Sequence, residues 1–242
     1  MDLRGKTALV TGGTDGIGAQ LIRQLRDKGA TVIATGRNPQ RIAATRADGF
    51  EVIEADLSSV SGVDAVLAAV QGRAIDILVN NAGAGGGPHD FRTGEAVDPA
   101  QDEKAIFLNL SAPMRLIAGL VPALKARPDA MIVNVTSGLA IAPSASMPVY
   151  CATKAGLRSY TQAVRAQLAK TSVRVVEALP PVVETSMTAG MSGNKLSAPE
   201  CARQIIAAME AGKAEANVGM TKILQVINSI SPALARQMMI RF

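Results

Sequence analysis

The chain has 242 residues, of which 48% are hydrophobic and only 2% aromatic, so it can bury a sizeable aliphatic core. Its net charge is +5, but the lysines and arginines form no cluster, and aromatic side chains that stack on bases are scarce. Composition therefore argues against a nucleic-acid partner. It favours a mild affinity for anions, such as an anionic cofactor.

The chain shows neither an apolar run of the ~20 residues that a membrane span needs nor a signal peptide. The two cysteines, Cys151 and Cys201, make no disulfide framework. These features predict a cytoplasmic protein, and membrane contact is not expected.

The first motif is a glycine-rich turn between a strand and a helix. Residues 7–10 form a short apolar run, and Leu21, Ile22 and Leu25 have the spacing of a buried helix face. Such a turn brings backbone N–H groups and the positive end of a helix dipole to a pyrophosphate. We expect cofactor contacts from Gly12, Thr14, Asp15, Gly16, Ile17 and Gly18.

The second strand, predicted at residues 31–34, is followed by Arg37 rather than by the acidic residue that binds the ribose hydroxyls of NAD. A guanidinium suits the 2′-phosphate of NADP, so we predict NADP, with a plain exposed loop residue as the less favoured alternative for Arg37. Asp15 weakens the argument, because its charge opposes a second phosphate. Asn38 and Pro39 have the pattern of a helix N-cap and first residue.

The third strand is predicted at residues 50–55 and the fourth at residues 75–79. Asp56, next to Leu57, could accept a hydrogen bond from the adenine amine or serve only in a turn or cap. The fourth strand is almost wholly apolar, which is typical of a strand buried on both faces of a parallel sheet. It runs into Asn80, Asn81, Ala82 and Gly83.

His89, the only histidine, lies in a glycine-rich loop. A solitary loop histidine is usually solvated, so we do not expect a catalytic role for it. No Cys, His and carboxylate spacing suits a metal, and none is predicted.

A long helix is predicted from Asp98 to about Leu124, with Pro113 in its interior. Proline displaces the carbonyl four residues before it, here that of Asn109. That carbonyl then needs another partner, such as a water molecule, although the kink could be purely structural.

A fifth strand at residues 131–135 ends just before Ser137, and the following helix carries Tyr150 and Lys154. Their separation of four residues stacks both side chains on one helix face. We expect the ammonium to favour the phenolate and lower the tyrosine pKa. By itself such a pair often arises by chance.

A sixth strand at residues 173–179 is followed by a glycine- and methionine-containing stretch. We expect residues 185–212 to form a substrate lid. The tail, residues 221–242, is apolar and basic at helical spacing. It could contact a membrane surface or a partner, but packing against its own domain is the commoner use.

Strands and helices alternate without a linker. This predicts one doubly wound, Rossmann-like α/β domain over residues 1–242, with a mostly parallel sheet of six or seven strands and helices on both faces. Its ligands would bind at the carboxyl ends of the strands, where every motif lies.

Together these motifs resemble the short-chain dehydrogenase/reductase family. Residues 11–18 match its TGxxxGxG turn and residues 80–83 its NNAG signature. The other tyrosine, Tyr160, has Val164 where a lysine would be needed. The residues that match the catalytic tetrad are Asn109, Ser137, Tyr150 and Lys154.

The resemblance implies NADP(H)-dependent hydride transfer between a carbonyl and its alcohol, in a homodimer or homotetramer. Tyr150 would exchange the proton, Ser137 would hold the substrate oxygen, and Lys154 would bind the ribose. Further cofactor contacts are implied for Asn81, Ala82, Gly83, Tyr150, Lys154, Pro180, Val183 and Thr185. Pocket walls are expected from Leu139, Ile141, Met147, Pro181, Val182, Met187 and Met191, which suit a neutral, moderately hydrophobic small molecule.

The chain departs from the family pattern in two places. Pro181 replaces the usual glycine after the sixth strand, and the C-terminus lacks the frequent glycine-rich last strand. The tail is similar to a subgroup labelled with lipoteichoic-acid D-alanylation, a function that no residue here supports. The alternatives are a non-catalytic NADP(H)-binding redox sensor and an envelope-associated relative.

Overall fold

The strands of this protein are short aliphatic runs, and those at the centre of the sheet are fully buried. The computed structural model describes residues 1–87, 89–91, 93 and 97–241. Its strands are β1 (Thr7–Val10), β2 (Thr31–Gly36), β3 (Glu51–Glu54), β4 (Ile77–Asn80), β5 (Ala130–Val135), β6 (Val173–Leu179), β7 (Val183–Glu184), β8 (Leu196–Ser197) and β9 (Glu215–Asn217).

Helices follow most of the strands. They are α1 (Gly16–Asp27), α2 (Pro39–Ala47), α3 (Val60–Ala69), α4 (Pro99–Ile106), α5 (Ala112–Lys125), α6 (Pro148–Leu168), α7 (Ala198–Glu210), α8 (Thr221–Ile230) and α9 (Pro232–Met239). The predicted N-caps of α2 and α4 are confirmed, because Asn38 accepts from the Arg41 amide and Asp98 from the Ala100 amide.

The main sheet has seven parallel strands in the order β3-β2-β1-β4-β5-β6-β9. β7 and β8 form a separate two-stranded parallel pair. From β1 the chain adds β2 and β3 on one side, and then crosses back to place β4 on the other side of β1. The gap between β1 and β4 is therefore the topological switch point, where such folds bind ligands. The predicted fold class is therefore confirmed.

One apolar cluster lies on each face of the sheet. Leu21 of α1 and Ile205 of α7 belong to the first, and Val66 of α3, Leu116 of α5 and Val164 of α6 to the second. Burying each such aliphatic side chain contributes roughly 2 kcal/mol. The two layers hold the carboxyl ends of the strands, and hence the site, in fixed positions.

Two sequence expectations need correction. The predicted long helix keeps its length but contains a π-helical turn, Phe107–Ser111, between α4 and α5. The second half of the predicted lid is a core helix, since Cys201 and Ile205 of α7 are fully buried. The last strand of the sheet, β9, pairs with β6 and is not glycine-rich, in line with the sequence.

The continuous helical segment Pro99–Lys125 is long and apolar enough to cross a membrane by length and composition. Core helices of globular domains meet the same criterion. Here Leu116, Leu120 and Leu124 are buried in the core of the domain, so this helix serves the fold.

Candidate active site

The glycine-rich turn after β1 has the shape of a phosphate cradle. Gly12 and Gly16 have φ of +65° and +51°, a region that side chains with a Cβ rarely adopt. A Cβ on Gly18 would lie 2.1 Å from the Gly12 carbonyl oxygen, so only glycine allows this approach. Asp15 makes no side-chain cap at the start of α1, and the dipole end points into the turn. The residues present therefore fit a dinucleotide pyrophosphate.

The segment after β4 supports that turn from the neighbouring strand. The Thr11 hydroxyl accepts from the backbone amides of Asn81 (2.9 Å) and Ala82 (3.0 Å). The Asn81 side chain donates back to the Thr11 carbonyl at 2.9 Å. A Cβ on Gly12 would meet the Ala82 Cα at 3.0 Å, and one on Gly83 would meet Asn109 Oδ1 at 3.1 Å.

At the predicted adenosine end, Arg37 and Asp56 contact each other. Arg37 Nη1 lies 3.4 Å from Asp56 Oδ1, and their side chains are 63% and 50% exposed. The sequence predicts separate roles for the two residues on the cofactor. Because an exposed ion pair contributes at most about 1 kcal/mol, a phosphate can readily displace it. A cleft of about 360 Å³ lies beside Arg37, lined also by Ser58, Ala84, Lys104 and Leu108.

Asp15 is neutralised in a way that the sequence did not predict. Its carboxylate accepts from Arg41 of α2 and from the Ser186 hydroxyl, which follows β7. Arg41 was missed, although it lies three residues after the Asn38 cap and one turn beyond Arg37. Its guanidinium offsets the acidic charge that weakened the case for NADP.

Asn109 lies in the π-helical turn and is fully buried. Its Oδ1 accepts from the Ala84 amide at 2.9 Å, and its Nδ2 donates to the Ala84 carbonyl at 2.8 Å and to Thr153 Oγ1 at 3.1 Å. The side chain thus joins the loop after β4 to helix α6. Thr153, which completes this link, is a second residue that sequence reasoning missed. Water binding by the Asn109 carbonyl stays a prediction.

Ser137, Tyr150 and Lys154 converge at the end of β5. Ser137 follows that strand, and its interaction with the Tyr150 phenol favours the phenolate form. Lys154 is buried, and its Nζ lies 5.6 Å from the Tyr150 ring centroid and donates to the Val135 carbonyl at 2.9 Å. The tetrad identified from the sequence therefore shares one place in the fold.

The protonation states differ from the expectation. Burial raises the pKa of Tyr150 to about 12, although the Ser137 hydrogen bond opposes this, and burial lowers the pKa of Lys154 to about 8. The predicted lowering of the Tyr150 pKa by Lys154 is not seen in this structure, because desolvation of the phenolate is the largest influence and the opposing one comes from Ser137. Tyr150 is consequently a protonated phenol at neutral pH.

The segment after β6 borders the same site. The Pro180 carbonyl accepts from the Gly138 amide at 2.9 Å. Because this contact uses a carbonyl, it does not need the N–H group that Pro180 and Pro181 lack. Val183 is buried in β7, and a Cβ on Gly16 would lie 2.9 Å from Thr185 Cγ2. Of the predicted nicotinamide-side residues, Thr185 therefore lies against the phosphate turn.

The predicted pocket walls divide by exposure. The partly buried ones are Leu139, Ile141, Met147, Pro181 and Val182, and the exposed ones are Met187 and Met191 in the segment between β7 and β8. Among the predicted cofactor contacts, Leu57 is buried, Asn38 is exposed, and Ile17 and Thr14 are partly exposed.

The expectation of a solvated His89 is wrong. Its side chain is 5% exposed, and its Nε2 lies 2.8 Å from Asp102 Oδ2. Asp102 also accepts from the Gly87 amide at 3.2 Å, and His89 Nδ1 lies 3.0 Å from the Gly87 carbonyl. The histidine therefore fastens the loop after β4 to α4. Within the described ranges, no group of three or more Cys, His, Asp or Glu is placed to hold a metal ion.

Comparisons with known proteins agree with this geometry. A family model described as short chain dehydrogenase matches residues 6–195. The chain is 36% identical over 225 residues to the uncharacterized oxidoreductase DltE of Bacillus subtilis, covering 89% of this chain and 88% of the relative. It is 30% identical over 257 aligned positions to the fatty acyl-CoA reductase Rv0547c of Mycobacterium tuberculosis, covering 100% and 86%.

Among solved structures, a short chain dehydrogenase from Burkholderia cenocepacia in complex with NADP superposes with a TM-score of 0.86. It is 28% identical, and the match covers 99% of each chain.

Proposed function

Because the chain belongs to the short chain dehydrogenase family, we propose that it is an NADP(H)-dependent oxidoreductase that interconverts a neutral, moderately hydrophobic carbonyl compound and its alcohol. The observation that carries this proposal is the meeting of the Ser137 and Tyr150 side chains beside the buried Lys154. These groups lie at the sheet edge where the phosphate turn also ends.

The nicotinamide cofactor supplies or accepts the hydride. In the reducing direction Tyr150, a protonated phenol, donates its proton to the substrate oxygen. Ser137 hydrogen-bonds both that oxygen and the phenol, which fixes the distance between them. Lys154, with a pKa of about 8, is mostly protonated at pH 7 and can return a proton to the phenolate. Asn109 positions α6 through Thr153.

The proposed substrate class rests on the predicted pocket walls, none of which is charged. The Mycobacterium relative is named as a fatty acyl-CoA reductase, which supports a carbonyl attached to an apolar chain. We further propose that the segment between Thr185 and β8, carrying Met187 and Met191, is the lid over this pocket.

NADP is the proposed cofactor, with the 2′-phosphate bound by Arg37. Arg41 supports this choice because it neutralises Asp15. The NADP complex of the Burkholderia structure is a further support. The proposed location is the cytoplasm, since both cysteines are unbridged, buried thiols.

The test of the reaction is NADPH oxidation over a panel of aliphatic ketones and aldehydes by the wild type and the Tyr150→Phe variant. We expect the variant to lose roughly 10²–10⁴-fold in turnover while it binds NADPH with similar affinity. Tight NADPH binding without turnover of any substrate by the wild type would instead favour the redox sensor.

The test of the cofactor is separate titration with NADPH and NADH. We expect Arg37→Ala to weaken NADPH binding about tenfold to a hundredfold and to leave NADH binding unchanged, because the lost interaction is a charge-assisted hydrogen bond. Arg46→Ala, a change in α2 outside the proposed site, is the control. Tighter binding of NADH than of NADPH by the wild type would contradict the assignment.

A further inference from the structure

The C-terminal helices α8 and α9 leave an apolar surface facing solvent. Leu224 and Ala235 are buried against Ala142, so one side of each helix does pack on the domain. The other sides carry exposed apolar residues, which we call the tail surface: Met220 (67% exposed), Ile223 (52%), Val226 (57%), Ile230 (80%), Leu234 (48%) and Met238 (52%).

The spacing explains how both sides of a helix come to be apolar. On α8, Ile223, Val226 and Ile230 recur at helical intervals on the exposed side, while Leu224 points inward. On α9, Leu234 and Met238 are four residues apart and both exposed. Packing within the domain therefore accounts for only half of the apolar pattern of the tail.

The charged side chains of this segment are all basic. Residues 216–242 contain three basic residues, Lys222, Arg236 and Arg241, and no aspartate or glutamate. A second copy of the same surface would bring these like charges together. Glu200 of α7 is an acidic group that interacts with one of these cations, since it lies near Lys222. An apolar face whose own helices carry only basic charges is complementary to an anionic lipid surface, which accepts the apolar side chains and attracts the cations.

We propose that the tail surface binds reversibly to the anionic surface of a lipid bilayer. The described residues support a peripheral contact, since α8 and α9 are short helices that also pack on the domain. The sequence left contact with a membrane surface open as an alternative for the tail, beside the commoner packing against its own domain.

The surface also adjoins the proposed active site. A Cβ on Gly138, the residue after Ser137, would lie 3.1 Å from Thr221 Oγ1, and the Ala145 amide donates to the Ile240 carbonyl at 3.2 Å. Bilayer contact would thus bring the segment after Ser137 close to the lipid. The corollary that the apolar substrate is taken from the bilayer rests on the proposed function, whereas the binding itself does not.

The test is co-sedimentation of the full chain with vesicles of phosphatidylcholine alone or of phosphatidylcholine and phosphatidylglycerol in equal amounts. We expect sedimentation with the anionic vesicles only, and release in high salt, because the Debye length falls to about 3 Å at 1 M. Equal sedimentation with both kinds of vesicle, or with neither, would overturn the proposal.

Two variants probe the two parts of the surface. Ile223→Ser with Ile230→Ser should abolish sedimentation, and Lys222→Gln with Arg236→Gln should weaken it about fivefold per charge removed. Val60→Ser, at another exposed apolar position (43%), is the matched control and should bind like the wild type. NADPH binding by each variant verifies that it is folded.

Light scattering separates this proposal from self-association. We expect the oligomeric state to be the same for the wild type and the Ile223→Ser, Ile230→Ser variant. If that variant instead dissociates the oligomer, a second copy covers the tail surface and the bilayer assignment is wrong. Because neither measurement needs turnover, both remain informative if the proposed reaction fails.

Discussion

Lys154 is a buried ammonium held by one backbone carbonyl, and burial lowers its pKa from 10.5 to about 8. The same burial raises the pKa of Tyr150. The low-polarity environment therefore brings the lysine pKa towards neutrality and keeps the tyrosine protonated. This arrangement suits proton delivery to a developing alkoxide.

The depressed lysine pKa has a consequence for stability. Below pH 8 the folded state must keep a buried charge that the unfolded chain solvates, at a cost of about 3 kcal/mol at pH 7. Between pH 8 and 10.5 the unfolded state binds more protons than the folded state. The stability contribution of this residue therefore rises with pH in that window.

We predict that the free energy of unfolding of the wild type, relative to that of Lys154→Met, increases by about 2 kcal/mol between pH 7 and 9.5. Urea unfolding of both proteins at the two pH values measures this difference. Lys170→Met, at an exposed position, should show no such change. A difference independent of pH would mean that the Lys154 pKa is unshifted.

At the scale of the element, the phosphate turn depends on close backbone approach. We predict that Gly18→Ala lowers the free energy of unfolding by at least about 2 kcal/mol and weakens NADPH binding, because its methyl group would overlap the Gly12 carbonyl. Gly190→Ala is the control, since a Cβ there meets nothing within 4 Å. Urea unfolding and NADPH titration are the measurements, and equal behaviour of the two variants would contradict the prediction.

Helix α6 is also tied to the sheet edge by a buried ion pair. Arg158 lies one turn beyond Lys154 and donates to Glu177 of β6 at 2.7 Å and to Glu215 of β9 at 3.2 Å. Glu177 is fully buried and accepts from Thr136 at 2.7 Å, next to Ser137. Burial raises the pKa of Glu177, although the Thr136 and Arg158 hydrogen bonds oppose this.

We predict that Arg158→Met lowers the free energy of unfolding by roughly 3–5 kcal/mol at pH 7.5, because it leaves the Glu177 carboxylate buried without its cation. The loss should be smaller at pH 5, where a carboxyl group with a raised pKa is more often protonated. Urea unfolding at both pH values measures it. Adding Glu177→Gln should recover part of the lost stability, and no recovery would show that packing by Arg158 dominates.

The property that belongs to the whole molecule is its oligomeric state. The family resemblance implies a dimer or tetramer formed through the helices that carry Asn109 and Tyr150. On α5, Met114 is 37% exposed, and an apolar side chain at that place suits a buried interface.

We predict that light scattering gives two or four times the chain mass of 25.0 kDa. Met114→Glu should shift the mass towards the monomer, because it would bury a charge in the interface. Val60→Glu, on α3, should leave the mass unchanged. A monomeric wild type at micromolar concentration would contradict the prediction.

The fold class and the phosphate turn were predictable from local signals, namely hydrophobic periodicity and glycine spacing, and both are present in the structure. The Asn38 and Asp98 caps were predictable for the same reason. The tetrad positions came from the family resemblance, because the i, i+4 pair of Tyr150 and Lys154 alone is weak evidence.

Features that depend on contacts between residues distant in the chain could be found only in the tertiary structure. Burial, not the adjacent lysine, sets the Tyr150 pKa, and the contact with Asp102 makes His89 a structural residue. Arg41 neutralises the charge of Asp15 and Ser186 donates a hydrogen bond to it, each from a distant part of the chain. The helices of the tail are apolar on both sides, and only the structure shows which side faces solvent. The spacing of apolar residues in the sequence does not tell which side another element will cover.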